Sequence, residues 1–230
     1  MPPRQEEEPR RTSASITLEL GSLAMRFARI ERTPRYEDGE RENDAEHSYM
    51  LALVAPELAD NLYPGLMDLG LISQYAIAHD LIELKTGDVA TFHIDESCLA
   101  QKEQSEQAAL ESLLATLPPH TRKTLAAYEA QHDRESRFVR AVDKNLPVIT
   151  DIHGAGKRVM NEDYGVHTSK DLHGAYENLR ARMNNRFSEF AAIVSDYELL
   201  SELFEIEFAT ARQESLDHRT QEFQGSEGHR

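Results

Sequence analysis

The chain has 230 residues, enough for one medium domain with a substantial core. Lys and Arg number 25 against 41 Asp and Glu, a formal charge of −16 that repels nucleic-acid polymers and anionic membranes at long range. No apolar run approaches the ~20 residues that a bilayer span needs, and Met1-Pro2-Pro3-Arg4-Gln5-Glu6-Glu7-Glu8 lacks the apolar segment of a secretory signal.

Residues 1–14 mix Pro, Glu and Arg without apolar rhythm, and Gln221 to Arg230 is polar throughout. The expected organisation is therefore a disordered tail over 1–14, one domain over 15–212 and a second disordered tail over 213–230. Leu20, Leu23, Phe27 and Ile30 predict a first helix that ends before Pro34. A second runs from Asp44 through His47, Leu51 and Val54 to Leu62, with Pro56 as a kink and Pro64-Gly65 as its stop. A third holds Leu69, Ile72, Ala76, Ile77 and Leu81 and ends near Thr86-Gly87. Cys98 to Leu117 reads as a polar-faced helix, and Pro118-Pro119 opens the next. Glu135 to Ile152 carries Phe138, Val142, Leu146 and Ile149 on one face. The clearest stripe is Leu172, Tyr176, Leu179, Met183, Phe187, Phe190 and Val194, read as a core-facing seam. Leu199, Leu203, Ile206 and Phe208 predict a last helix. No stretch predicts a strand, so the fold class is all-α, a single domain of roughly eight helices.

Cys98 is the one cysteine, which forms no internal disulfide and fits a reducing, cytoplasmic setting. It has no obvious His partner and receives no catalytic role. His153-Gly154-Ala155-Gly156-Lys157 has a faint look of a phosphate loop. The first Gly of that motif would fall on Asp151, and no Ser or Thr follows Lys157, so the reading is rejected. The polar stretch Asn161 to His167 reads as a connection, and His93 as a solvent-exposed residue.

The chemistry concentrates in three places. His79 and Asp80 close an apolar helical run, where a polar pair is costly unless something satisfies it, and a divalent cation satisfies both. Glu83 lies one turn on, and Asp88 follows a Gly that ends the helix. His47 opens the second helix, and Asp143 sits in an apolar helical face. Singly, each has a plainer structural reading. Together, His47, His79, Asp80 and Asp143 supply four ligands from three helices.

That order, H…HD…D, resembles the HD-domain metal-dependent phosphohydrolases, an all-helical superfamily. The surroundings are similar to its bacterial 5′-deoxynucleotidase branch, the YfbR-like group. Glu42-Asn43-Asp44-Ala45-Glu46-His47 matches that group's E-N-x-x-E-H pattern, and His79, Asp80, Glu83, Thr86, Gly87 and Asp88 match H-D-x-x-E-x-x-T-G-D. Arg35-Tyr36 looks like the Arg-aromatic pair that touches substrate there.

The resemblance implies His47, His79, Asp80 and Asp143 as ligands of one divalent metal ion: Mn, Co, Fe, Zn or Mg. It places Glu83 and Asp88 by the attacking water and the substrate, with Glu83 assigned to the water and Asp88 to the leaving oxygen or the sugar. Arg35 is the first candidate for holding phosphate through its guanidinium fork, followed by Arg41 and Lys144, with Tyr36 available to stack on base or sugar. The expected activity is phosphate release from deoxynucleoside 5′-monophosphates. A triphosphohydrolase or pyrophosphohydrolase on the same scaffold, a non-catalytic nucleotide-binding module and a purely structural metal staple stand as alternatives. The expected partner is a small nucleotide, with neither nucleic-acid polymer nor membrane, and a homodimer is a further expectation.

Overall fold

Thr12 starts the first described element: its hydroxyl accepts the Ser15 amide and caps α1, Ser13–Phe27. A computed structural model describes residues 11–88, 92 and 108–227, with side chains through residue 210. Residues 98–107 of the helix expected from Cys98 to Leu117, and the readings of His93 and Cys98, lie outside the described residues.

The chain then forms a hairpin that the sequence does not announce. Strands β1, Glu31–Arg35, and β2, Arg41–Asn43, pair antiparallel, with Glu31 opposite Asn43 and Arg35 opposite Arg41. Gly39 takes φ +90° in the connecting turn. The expectation of no strand is corrected here, and the physical reason is specific. The inward residues are Arg32, Pro34 and Glu42, so the period-two alternation is one of burial and not of hydropathy.

Helix α2, Asp44–Leu62, begins with a capping box. The Asn43 side chain accepts the amides of Ala45 and Glu46 at 3.0 and 3.1 Å, and Glu46 accepts the Asn43 amide at 3.0 Å. Pro56 is carried inside this helix. Helix α3 ends at Ala78, earlier than the expected Thr86-Gly87, and spans Leu69–Ala78. Residues 79–82 form tight turns in which the Glu83 amide bonds to the Asp80 carbonyl at 2.9 Å. Helix α4, Glu83–Thr86, follows, and Gly87 at φ +70° ends it. The described part of α5 covers 108–114, and α6 is Pro119–Ala130 with Pro119 in its first turn.

The single helix expected over Glu135–Ile152 is two: α7, Arg134–Asp143, and α8, Leu146–His153. Pro147 has no N–H for the Asp143 carbonyl four residues back, so the ladder stops there. Helix α9, Gly156–Glu162, packs so closely that a Cβ at Gly156 would lie 2.4 Å from the Asp151 carbonyl oxygen. A Cβ at Gly154 would meet the Arg35 carbonyl oxygen at 2.1 Å. These glycines exist for close backbone approach, which explains the false look of a phosphate loop.

Helix α10, Ser169–Phe187, leads through a 3₁₀ turn at Ser188–Phe190 into α11, Ala191–Glu227. The predicted seam holds across that break: Leu172, Tyr176, Met183, Phe187, Phe190 and Val194 are buried, and Leu179 is half-buried. Leu51, Ile72, Tyr75, Phe138, Leu146 and Phe204 join them in the main core. A smaller cluster of Phe27, Leu81, Leu113, Leu117 and Leu125 closes the α1 end. On α11, Phe204 and Phe208 face inward while Leu199, Leu203 and Ile206 are exposed. The fold is all-α apart from the hairpin, and eight of the helices have eight or more described residues. No helix among the described residues is long and apolar enough to cross a membrane.

Candidate metal centre and substrate cleft

The helix ends described above converge. His47 lies in the first turn of α2, His79 follows the last residue of α3, and Asp143 closes α7. With Asp80 they place one ligand atom each within 4.8 Å of one another. His47 Nε2 is 2.8 Å from Asp143 Oδ1, and His79 Nε2 is 2.9 Å from Asp80 Oδ2 and 3.6 Å from Asp143 Oδ1.

The donor set fits a divalent cation on local grounds. His79 Nδ1 lies 2.8 Å from the Ala76 carbonyl, which only accepts, so Nδ1 carries the hydrogen and Nε2 keeps its lone pair for the centre. That Nε2 is buried and faces the carboxylates of Asp80 and Asp143. Burial opposes charge on His79, yet the carboxylates of Asp80 and Asp143 push its pKa up to about 10. Asp143 is held well below the usual carboxylate range, against its burial, by Lys144, His47 and His79. Two carboxylates facing two imidazoles thus create a demand for positive charge, which a cation meets. Two imidazole nitrogens and two carboxylate oxygens suit several metals and select none.

A buried cation of the protein's own stands behind this set. Arg32, on β1, is 9% exposed and reaches Asp80 Oδ2 at 2.8 Å, Asp44 Oδ1 at 3.2 Å and Glu42 Oε2 at 3.5 Å. Tight turns across 79–82 bring Asp80 and Glu83 to one side, where they cluster with Asp44. Burial, then the charges of Asp80, Asp44 and Asp88, push the Glu83 carboxyl up to about 10, and its Oε2 has no partner.

The centre opens into a cleft of about 630 Å³. Arg32, His79, Asp80, Glu83, Asp88, Asp143 and Lys144 line its metal end. Asp151, Tyr164, Tyr176 and Tyr197 line it farther along α8 to α11, with Phe92. Arg140, Arg182 and Arg186 also contribute to the wall. Arg140 is held by Glu129 at 3.0 Å and lies over the Tyr128 ring, itself 6.1 Å from the His79 ring.

Of the residues singled out from the sequence, His47, His79, Asp80 and Asp143 meet, and Glu83, Asp88 and Lys144 line the same cleft. Lys144 Nζ sits 2.7 Å from Asp143 Oδ2. Arg35, Tyr36 and Arg41 are not in the cleft lining. Arg35 and Arg41, from the two strands, both bind Asp163, at 3.0 and 2.7 Å, and the Tyr36 hydroxyl donates to Glu46. Sequence reasoning missed Arg32, which sits among other charged residues without any distinguishing pattern. It quoted Glu42 and Asp44 within the motif yet gave them no task. It also missed Asp151 and Tyr176, the second of which was read only as core.

A family model described as the HD domain matches residues 26–186. The chain belongs to the HD-domain family. The HD core so matched contains all four candidate ligands, Arg32, Asp151 and most of α10. Among curated proteins, a 5′-deoxynucleotidase of Vibrio parahaemolyticus is 29% identical over 126 residues, covering 51% of this chain and 65% of that protein. A 5′-deoxynucleotidase of Pasteurella multocida is 33% identical over 108 residues, 45% of this chain and 55% of that protein. The matches thus span less than two thirds of either relative's length. Among solved structures, a predicted metal-dependent phosphohydrolase from Magnetospirillum magnetotacticum superposes with a TM-score of 0.64 at 23% identity. That superposition covers 85% of this chain and 94% of the other, and supports the HD fold.

Proposed function

We propose that this HD-domain chain is a metal-dependent phosphohydrolase that releases phosphate from nucleotides, with deoxynucleoside 5′-monophosphates as its favoured substrates. The observation that carries the reading is the meeting of His47, His79, Asp80 and Asp143 beside the half-buried Glu83, which clusters with Asp44 and Asp80, in the wall of a nucleotide-sized cleft. The two deoxynucleotidase relatives support the substrate class.

In this reading the four ligands hold one divalent cation. When bound, such a cation lowers the pKa of water beside it and offsets phosphate charge. His79 and then Arg32 keep Asp80 ionised, Arg32 fixes its direction, and the Ala76 carbonyl fixes the ring of His79. Glu83 exchanges a proton with the reacting water, and its raised pKa reflects the cluster of carboxylates it shares. Asp88 faces the leaving oxygen or sugar from the same lining, and Lys144 brings an ammonium to the phosphate end. Arg35 and Arg41 act on substrate only if Asp163 releases them.

The triphosphate reading has one observation in its favour, the arginines Arg140, Arg182 and Arg186 in the cleft wall. Against it, Arg32, Arg140 and Lys144 are each already held by carboxylates. A homodimer belongs to the same proposal, supported by the exposed row of Leu199, Leu203 and Ile206, and light scattering at micromolar concentration tests it.

The deciding experiment is phosphate release from nucleoside mono- and triphosphates by protein stripped of metal and reloaded with Mn, Co, Mg or Zn, with His79→Ala as the blank. Inorganic phosphate from deoxynucleoside monophosphates is expected, and Glu83→Gln lowers the rate roughly 10²–10⁴-fold while still binding metal. Pyrophosphate or tripolyphosphate from triphosphates alone moves the assignment to the second reading. Nucleotide binding without turnover makes the chain a non-catalytic module.

A further inference from the structure

Several buried polar atoms of the cleft lining have no hydrogen-bond partner among the described residues. Arg32 Nε, His79 Nε2 and Glu83 Oε2 belong to the metal centre. Two others do not: Asp151 Oδ1 and the Tyr176 hydroxyl. Asp151 lies on α8, a separate helix from the one carrying Asp143, and is only 7% exposed. It has no ion-pair partner among the described residues, and the charge that acts on it is another carboxylate, Glu42. A buried carboxyl without a cation or donor is among the costliest features a core can carry. Its backbone is encased as well, because α9 closes on it through Gly156.

The surroundings show what kind of group such a carboxyl awaits. Tyr164, Tyr176 and Tyr197 line the cleft together with Asp151, whose charge helps to raise the pKa of each phenol. Phe92 stacks on Tyr164 with ring centres 4.7 Å apart and meets Tyr176 edge-on at 5.6 Å. All five residues line the cleft whose other end is the metal centre. Flat aromatic walls around one orphaned acceptor suit a flat heterocycle bearing an N–H, more than a sugar hydroxyl or a second phosphate. Burial and Glu42 raise the Asp151 carboxyl to about 8, so an anionic ligand group is not repelled outright there and a neutral one is well received.

We propose that the Asp151 end of the cleft is a nucleobase subsite, in which Asp151 accepts a hydrogen bond from a base N–H, the Tyr176 hydroxyl pairs with a second polar atom of the base, and the aromatic walls cover its faces. This assignment rests on the nucleotide reading above and supplies the specificity determinant it lacks. It makes Asp151 a binding residue outside the candidate ligand set.

The test uses ligands that cannot turn over. The four deoxynucleosides, their 2′,3′-dideoxy counterparts and deoxyribose are titrated calorimetrically into the full metal-loaded chain, into Asp151→Leu and into Asp151→Asn. At least one deoxynucleoside is expected to bind and its dideoxy form to bind within about threefold of it, while deoxyribose does not bind. Asp151→Leu weakens the nucleoside about ten- to a hundredfold, as expected for a lost buried hydrogen bond. Asp151→Asn, which keeps an acceptor oxygen, recovers part of that loss. Melting temperatures accompany each titration, and both variants melt at or above the wild type because an unpartnered buried carboxyl is gone.

The inference is overturned if no deoxynucleoside binds the wild type, if Asp151→Leu binds as tightly as wild type, or if the dideoxy forms lose binding and so place Asp151 on the sugar. It is also overturned if both variants melt lower, which would make the carboxyl a structural group. Nucleoside binding that depends on Asp151, with no phosphate release from any nucleotide, leaves this subsite standing and sinks only the hydrolase reading.

Discussion

Replacing Arg32 with Met keeps most of the side-chain volume and removes the guanidinium that three carboxylates share. Asp44 and Glu42 are both fully buried, and Arg32 is the only Lys or Arg in salt-bridge reach of either among the described residues. Breaking a buried pair by removing one partner costs about 3–5 kcal/mol. Asp44 softens this, because burial and Asp80 already push its carboxyl up to about 6, and it takes a proton when Arg32 is gone. The low end, about 3 kcal/mol, is therefore expected in metal-free protein, and at roughly 2–4 °C per kcal/mol for a chain of this size the melting temperature falls by about 6–12 °C. A bound cation gives Asp80 a second partner, so the fall is smaller after reloading with Mn. Thermal melts by circular dichroism, in chelator and then in Mn, measure both numbers. A drop of less than about 2 °C in chelator would refute the argument that Arg32 neutralises a buried acidic cluster.

Two further outcomes follow from the packing and titration of the α8–α9 corner. Gly156→Ala drives a methyl against the Asp151 carbonyl, at 2.4 Å, and lowers stability by about 1–3 kcal/mol, whereas Gly21→Ala on open α1 raises it by about 0.5–1 kcal/mol. Equal melting temperatures for the two variants would contradict the close approach. The folded-state pKa of Asp151, about 8, lies above its unfolded value near 3.9. Its stabilising contribution is fully present below pH ~4 and is lost as pH rises through about 8, so the melting advantage of Asp151→Asn over wild type grows across that window. A difference that is flat from pH 4 to 9 would show that the carboxyl is not buried as described.

Much of the site was legible because its residues break a helical pattern. His79 and Asp80 stand out against the apolar run of α3, and Asp143 against Val139 and Val142. The motif around His47 was visible for a mixed reason: Asn43 and Glu46 in it start the helix, while His47 and Asp44 join the two clusters of candidate ligands. The hairpin was hidden because its buried face is charged. The break after Asp143 was hidden because Pro147 lies inside an apolar periodicity that continues through α8. Asp151 was hidden twice, by the false phosphate-loop spacing beside it and by the absence of any nearby cation to suggest a pair. Arg35 shows the opposite case: a guanidinium suits phosphate in general, and in this structure Asp163 holds it.

The polar inner face of the β-hairpin also bears on the order in which the molecule assembles. A ribbon that buries Arg32 and Glu42 has little apolar surface to drive its own collapse, so it gains a reason to dock only after α2 and α3 have delivered Asp44 and Asp80. A slip of one residue in the β1–β2 pairing would turn Arg32 outward and strand those carboxylates. Strand registration and completion of the acidic cluster thus depend on one another, and the register is selected by charge instead of by hydrophobic fit.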